Sequence, residues 1–139
     1  MKRKSVQFAA VLLASLFVSA PSVAYDREEA ADYAKMFASV QGPKAGKHLH
    51  LLKVEQFVDE VRAGKNYLTI DIRTPGETRF LTVNLPGHLA IPLNELFQED
   101  QLAKLPEDQP IVVLCKSGTR ATAAATALRD VGFEETYVL

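Results

Sequence analysis

Residues 111–128 read IVVLCKSGTRATAAATAL. The apolar run Ile111 to Leu114 stops at Cys115, the one cysteine in the chain. A short polar segment follows (Lys116, Ser117, Gly118, Thr119, Arg120), and then a stretch rich in alanine. Four apolar residues closed by a turn signal read as a buried strand, and Ala121 to Asp130 reads as a helix stopped near Gly132. Ala121, Ala123, Ala124, Ala125 and Ala127 leave room for that helix to pack close to a sheet. A strand that passes through a tight loop straight into a helix is the joint of α/β domains, whose reactive sites lie at the carboxyl ends of the strands.

The flanking sequence repeats this alternation. Tyr67 to Ile72 reads as a second buried strand, running into the turn Arg73-Thr74-Pro75-Gly76. His48 to Leu52 is expected as a short strand, and Thr136 to Leu139 as the last one. Val54, Phe57, Val58 and Val61 form a helical stripe ended by Gly64, and Asn94 to Leu105 suggests a short helix before the turn from Pro106 to Pro110. The fold class is therefore α/β, a three-layer domain with a mainly parallel central sheet flanked by helices. Tyr25 to Val40 is helix-compatible, with Tyr33, Phe37 and Val40 on one face, and Gly42 to Lys47 breaks it. Residues 25–47 are thus an N-terminal extension and linker, and residues 48–139 the domain.

The chain opens differently. Residues 1–24 begin with Lys2, Arg3 and Lys4, continue through an apolar core from Phe8 to Val18, and close on Ser22-Val23-Ala24. That is the layout of a secretory signal peptide cleaved after Ala24, and its apolar core is too short to span a bilayer. It implies a periplasmic or secreted protein with no stable membrane span. Of 16 basic and 17 acidic residues the first 24 positions hold three and none, so residues 25–139 carry 13 − 17 = −4. A mildly acidic chain without a basic block excludes nucleic acid and anionic membranes as main partners. A single cysteine in an exported chain cannot form an internal disulfide, which marks it as a reactive thiol or an intermolecular bridge.

The loop after Cys115 suits a thiolate. The thiolate is the nucleophile, and an ordinary cysteine is mostly protonated at neutral pH. Cys115 lies just ahead of a helix N-terminus, where unpaired N–H groups and the dipole favour negative charge. Gly118 allows a sharp turn that aims successive N–H groups inward, as an anion-binding nest. Lys116 and Arg120 bring positive charge, Arg120 as a two-pronged clamp, and Ser117 and Thr119 add hydroxyl donors. Against this stands the fact that cysteine is among the most buried residue types, so a thiol ending a strand is often inert.

CKSGTRATAAATAL resembles the active-site loop and following helix of rhodanese-type sulfurtransferases, in their exported single-domain form. LTIDIRTPGE (68–77), LPGHLAIPLNEL (85–96) and LRDVGFEETYVL (128–139) are similar to three further motifs of that family, in the same order. The sequence departs from the family in three places. Val83-Asn84 stands where a Gly-His pair is usual, after a two-residue insertion; His88 is not that histidine; and the family's closing helix would follow Leu139, so either that helix is lacking or Tyr25 to Val40 covers its face.

The resemblance implies transfer of sulfane sulfur from a small anionic, thiosulfate-like donor through a persulfide on Cys115 to a thiol, a cyanide-like acceptor or a protein sulfur acceptor. Lys116, Ser117, Gly118, Thr119 and Arg120 would bind the donor. Such transfer needs no metal or organic cofactor. Asp71, Arg73 and Glu77 are expected to support the loop, with Arg73 paired to Glu77. His48 and His50, two imidazoles with no third ligand nearby, do not make a metal site. A phosphatase or arsenate reductase of this fold would have five residues between Cys and Arg, and here there are four. A non-catalytic binding or sulfur-sensing module is the other alternative, though such modules usually lack the cysteine. N-terminal sequencing of protein exported from an expressing cell should begin at Tyr25; a start at Met1 would contradict the signal-peptide reading.

Overall fold

The computed structural model describes residues 25–85 and 87–139; the expected signal peptide lies outside them. In chain order the elements are α1 (Arg27–Phe37), a 3-10 turn (Gly42–Lys44), α2 (Ala45–His48), α3 (Val54–Arg62), β1 (Leu68–Asp71), α4 (Pro75–Thr78), β2 (Leu89–Ala90), α5 (Leu93–Leu96), α6 (Glu99–Leu102), β3 (Ile111–Leu114), α7 (Thr119–Asp130) and β4 (Thr136–Val138). The four strands form one parallel sheet in the order β2-β1-β3-β4. β1 and β3 are central and wholly buried, which explains why they read as uninterrupted apolar runs.

Alternate residues of the central strands feed two cores. Ile70, Ile111 and Val113 face α7 and Leu96, while Val112 points the other way, toward Leu52, Phe57 and Tyr67. Helix α7 buries Ala121, Ala124, Ala125 and Leu128, a stripe at i, i+3, i+4 and i+7, so the small side chains do sit against the sheet; Ala123 is exposed. On the opposite face α3 contributes Phe57, with Val58 and Val61 beside it.

Three expectations are corrected. The segment His48 to Leu52 is not a strand: α2 runs through His48, His50 adopts a left-handed φ of 58°, and only Leu51 bridges to Val138. A left-handed residue turns the chain, so extension is possible only after it. Asn94 to Leu105 is two short helices rather than one, α5 and α6. Helix α1 does not cover a face of the sheet, since none of its residues is buried. Its aromatic stripe instead closes on itself, Tyr33 stacking on Phe37 at 6.3 Å, and Tyr33 Oη donates to Asp130 Oδ2 at 3.2 Å. Deleting residues 25–40 should therefore lower Tm less than Leu128→Ala, which opens a cavity under α7 and costs about 2–5 kcal/mol. A larger loss from the deletion would return α1 to the core.

Candidate active site

β3 ends at Leu114, and the chain needs a reversal before α7 can begin at Thr119. Gly118 supplies it with a φ of +82°. A side chain there would meet open space, so the dihedral angle, not crowding, calls for glycine. Thr122 then locks the first turn, both its N–H and its hydroxyl donating to the Gly118 carbonyl, at 2.8 and 3.0 Å.

This path wraps backbone N–H groups around Cys115, which is half-buried. Burial pushes the Cys115 thiol up, but the N–H groups of Ser117, Ala121, Gly118 and Arg120 together outweigh it and hold the pKa below the ordinary value. The nest read from the loop is thus present, and Ala121 is a member that the motif did not reveal. Its part follows from its place in the first turn of α7, where N–H groups have no partner inside the helix.

Arg120 is arranged differently from the two-pronged anion clamp. Nη1 donates to Glu77 Oε2 at 2.9 Å and Nη2 to Glu77 Oε1 at 2.6 Å, so the fork is filled by a carboxylate. Glu77 raises the Arg120 pKa most, and the Cys115 sulfur adds to the rise. Arg120 in turn holds the Glu77 carboxyl well below the usual carboxylate range, helped by the Thr74 N–H and hydroxyl, which donate to Oε2 at 2.9 Å each. Thr74-Pro75-Gly76-Glu77 forms a helix capping box, a local signal that ties the Glu77 carboxylate to Thr74 but does not reveal its pairing with Arg120.

Arg73 does not pair with Glu77 as expected. It binds Asp71, Nε reaching Oδ1 at 2.9 Å and Nη2 reaching Oδ2 at 2.6 Å. Asp71 is fully buried at the end of β1, so its charge takes the donors at hand, including the Arg73 backbone N–H at 3.1 Å. Glu77 was left for Arg120. Nη2 of Arg73 also donates to the Leu81 carbonyl at 2.9 Å, fixing the loop that follows α4. Lys116, Ser117 and Thr119 are exposed at the rim, the two hydroxyls 3.5 Å apart. Together with Cys115 and Arg73 they border a cavity of about 870 Å³.

The family model "Rhodanese-like domain" matches residues 54–139, and the chain belongs to that family. Over 80 residues it is 35% identical to mitochondrial thiosulfate sulfurtransferase RDL2 of Saccharomyces cerevisiae, covering 51% of this chain and 54% of that protein. Over 77 residues it is 34% identical to a probable adenylyltransferase/sulfurtransferase, MoeZ, of Mycobacterium tuberculosis, covering 55% of this chain and 19% of that one. The matched region is thus about half the length of the yeast relative and about a fifth of the mycobacterial one. The human single-domain sulfurtransferase TSTD1 shares the fold, with a TM-score of 0.54 at 22% identity over 64% of this chain and 87% of that one. Among the described residues no helix is long and apolar enough to cross a membrane.

A depressed thiol pKa is testable without a substrate. The rate of Cys115 alkylation by iodoacetamide should rise with pH as thiolate forms and reach half its plateau below the ordinary value of about 8.5. A midpoint at or above that value would contradict the nest.

Proposed function

We propose that this chain is a sulfurtransferase that carries sulfane sulfur on Cys115. The Cys115 thiolate attacks the outer sulfur of thiosulfate or a similar donor, the donor's sulfur–sulfur bond breaks with its electron pair, and sulfite leaves. The persulfide that remains is anionic, and an acceptor thiolate or cyanide then takes its outer sulfur and restores the thiolate, a ping-pong cycle with no net redox change. The observation that carries this reading is the ring of N–H groups from Ser117, Gly118, Arg120 and Ala121 around a thiol of lowered pKa. Donors fixed before the reaction favour an anion without reorganising for it, as in an oxyanion hole.

Within this reading Arg120 adds positive charge next to the sulfur, and the Glu77 carboxylate holds it there. Lys116, at the rim, attracts an anionic donor. The layout of residues 1–24 supports the further proposal that the transfer takes place in a periplasm or outside the cell. There, small thiols or a protein cysteine would accept the sulfur.

The test is the intact mass of the purified protein after thiosulfate, read before and after cyanide. We expect a gain of one sulfur atom on Cys115 that cyanide removes. Cys115→Ser should show no gain while staying folded, and Arg120→Ala should slow the step roughly 10- to 1000-fold, the scale of losing one preorganised charge-stabilising group. A folded wild-type protein that never gains sulfur would favour the binding-module alternative.

A further inference from the structure

A second cavity, of about 710 Å³, is lined from α2, α3 and β4, and has only Leu51 and Leu52 in common with the cavity that Cys115 borders. Four lysines and a single carboxylate line it, although residues 25–139 as a whole are acidic. The carboxylate is Glu60, and its charge is already answered. Gln56 Nε2 donates to Oε1 at 2.7 Å, Lys65 Nζ donates to Oε2 at 2.9 Å, and the Tyr67 hydroxyl donates to Oε2 as well. Those donors, Tyr67 foremost, pull the Glu60 carboxyl down to about 2. The other three lysines, Lys44, Lys47 and Lys53, are exposed and have no ion-pair partner among the described residues. Lys44 and Lys47 stand three positions apart at the start of α2, in the Gly42 to Lys47 stretch that reads in the sequence only as a break.

Beside the lysines the lining carries rings that hold one another. His50 stacks on Tyr137 with centroids 4.9 Å apart, Tyr67 meets Tyr137 edge-on at 6.2 Å, and Lys65 Nζ sits 4.7 Å from the Tyr67 ring centre. His50 is fixed twice over. The Val138 N–H donates to its carbonyl at 2.9 Å, and its Nδ1 donates to the Thr136 carbonyl at 3.1 Å. Its left-handed φ of 58° is strain that persists only where the surroundings over-determine it, and such residues cluster at ligand sites. A wall ordered beforehand costs little entropy when a ligand settles on it. The volume lies in the range of small-molecule sites, of the order of 300–1,000 Å³.

No arginine lines this cavity. The flat fork of arginine suits a planar carboxylate, whereas lysine acts on phosphate as a point charge. A phosphate monoester, with about two negative charges at neutral pH, matches several unpaired ammonium groups better than a singly charged anion does. We infer that this cavity binds a soluble organic phosphate, its phosphate held by Lys44, Lys47 and Lys53 and its ring-bearing body lying against Tyr137 and Leu51. The site is independent of the sulfur-transfer reading, which uses none of these residues.

The experiment titrates phenyl phosphate into the full chain by calorimetry, with inorganic phosphate and benzoate as comparators. We expect saturable one-to-one binding of phenyl phosphate, about tenfold or more tighter than either comparator, since one lacks the ring and the other the second charge. Lys44→Ala, Lys47→Ala and Lys53→Ala combined, all at exposed positions, should weaken it about tenfold, the scale of three exposed ion pairs lost together. Lys116→Ala, at the Cys115 cavity, should leave Kd unchanged. No saturable binding, equal affinity for inorganic phosphate or benzoate, or a triple variant that binds as tightly as the parent would overturn the inference. So would weaker binding in Lys116→Ala, which would move the ligand to the Cys115 cavity.

Discussion

The structure depends on the register between β1 and β3. Asp71 lies opposite Leu114, and Ile72 donates to the Leu114 carbonyl at 3.1 Å, so the two strands end side by side. Everything that makes a site leaves from those two ends. Asp71, Arg73, Thr74 and Glu77 leave from one; Cys115, Gly118 and Arg120 leave from the other. A slip of one residue would turn the alternate apolar side chains of β3 to the wrong cores and draw Glu77 away from Arg120.

The electrostatics are layered from the buried strand outward. The Asp71 carboxyl is fully buried, which is tolerable because Arg73 binds it through two side-chain nitrogens and the Arg73 backbone N–H. The Glu77–Arg120 pair lies nearer the surface and spans the two loops. Innermost to the chemistry are uncharged groups, the N–H donors that face Cys115. Backbone donors suit this role because their direction is set by the fold, with no side-chain freedom to lose when negative charge appears.

Much of this was legible beforehand. β1, β3 and α7 showed because buried parallel strands and a small-residue helix leave strong local patterns, and the Gly118 turn showed because only glycine takes a left-handed angle freely. The segment from His48 to Leu52 misled because His50 takes such an angle without being glycine, held by pairing with Val138 that lies far along the chain. The stripe on α1 misled for a related reason: Tyr33 and Phe37 have the spacing of a buried face, but periodicity does not say what, if anything, covers that face.

The sequence by itself determined the place of the cysteine at a strand end, the four residues between Cys115 and Arg120, the glycine hinge and the alternation of strand and helix, because each is a local property of neighbouring residues. The tertiary structure alone decided which carboxylate meets which guanidinium. Glu77 and Arg120 are 43 positions apart, and their pairing exists only once parallel strands set two loops together, whereas Arg73 meets Asp71 two positions away at the end of one strand. Leu51, Val54 and Leu81, from separate segments, likewise line one cavity with Cys115 only in the folded chain. No local pattern encodes a wall whose parts lie in separate segments of the chain.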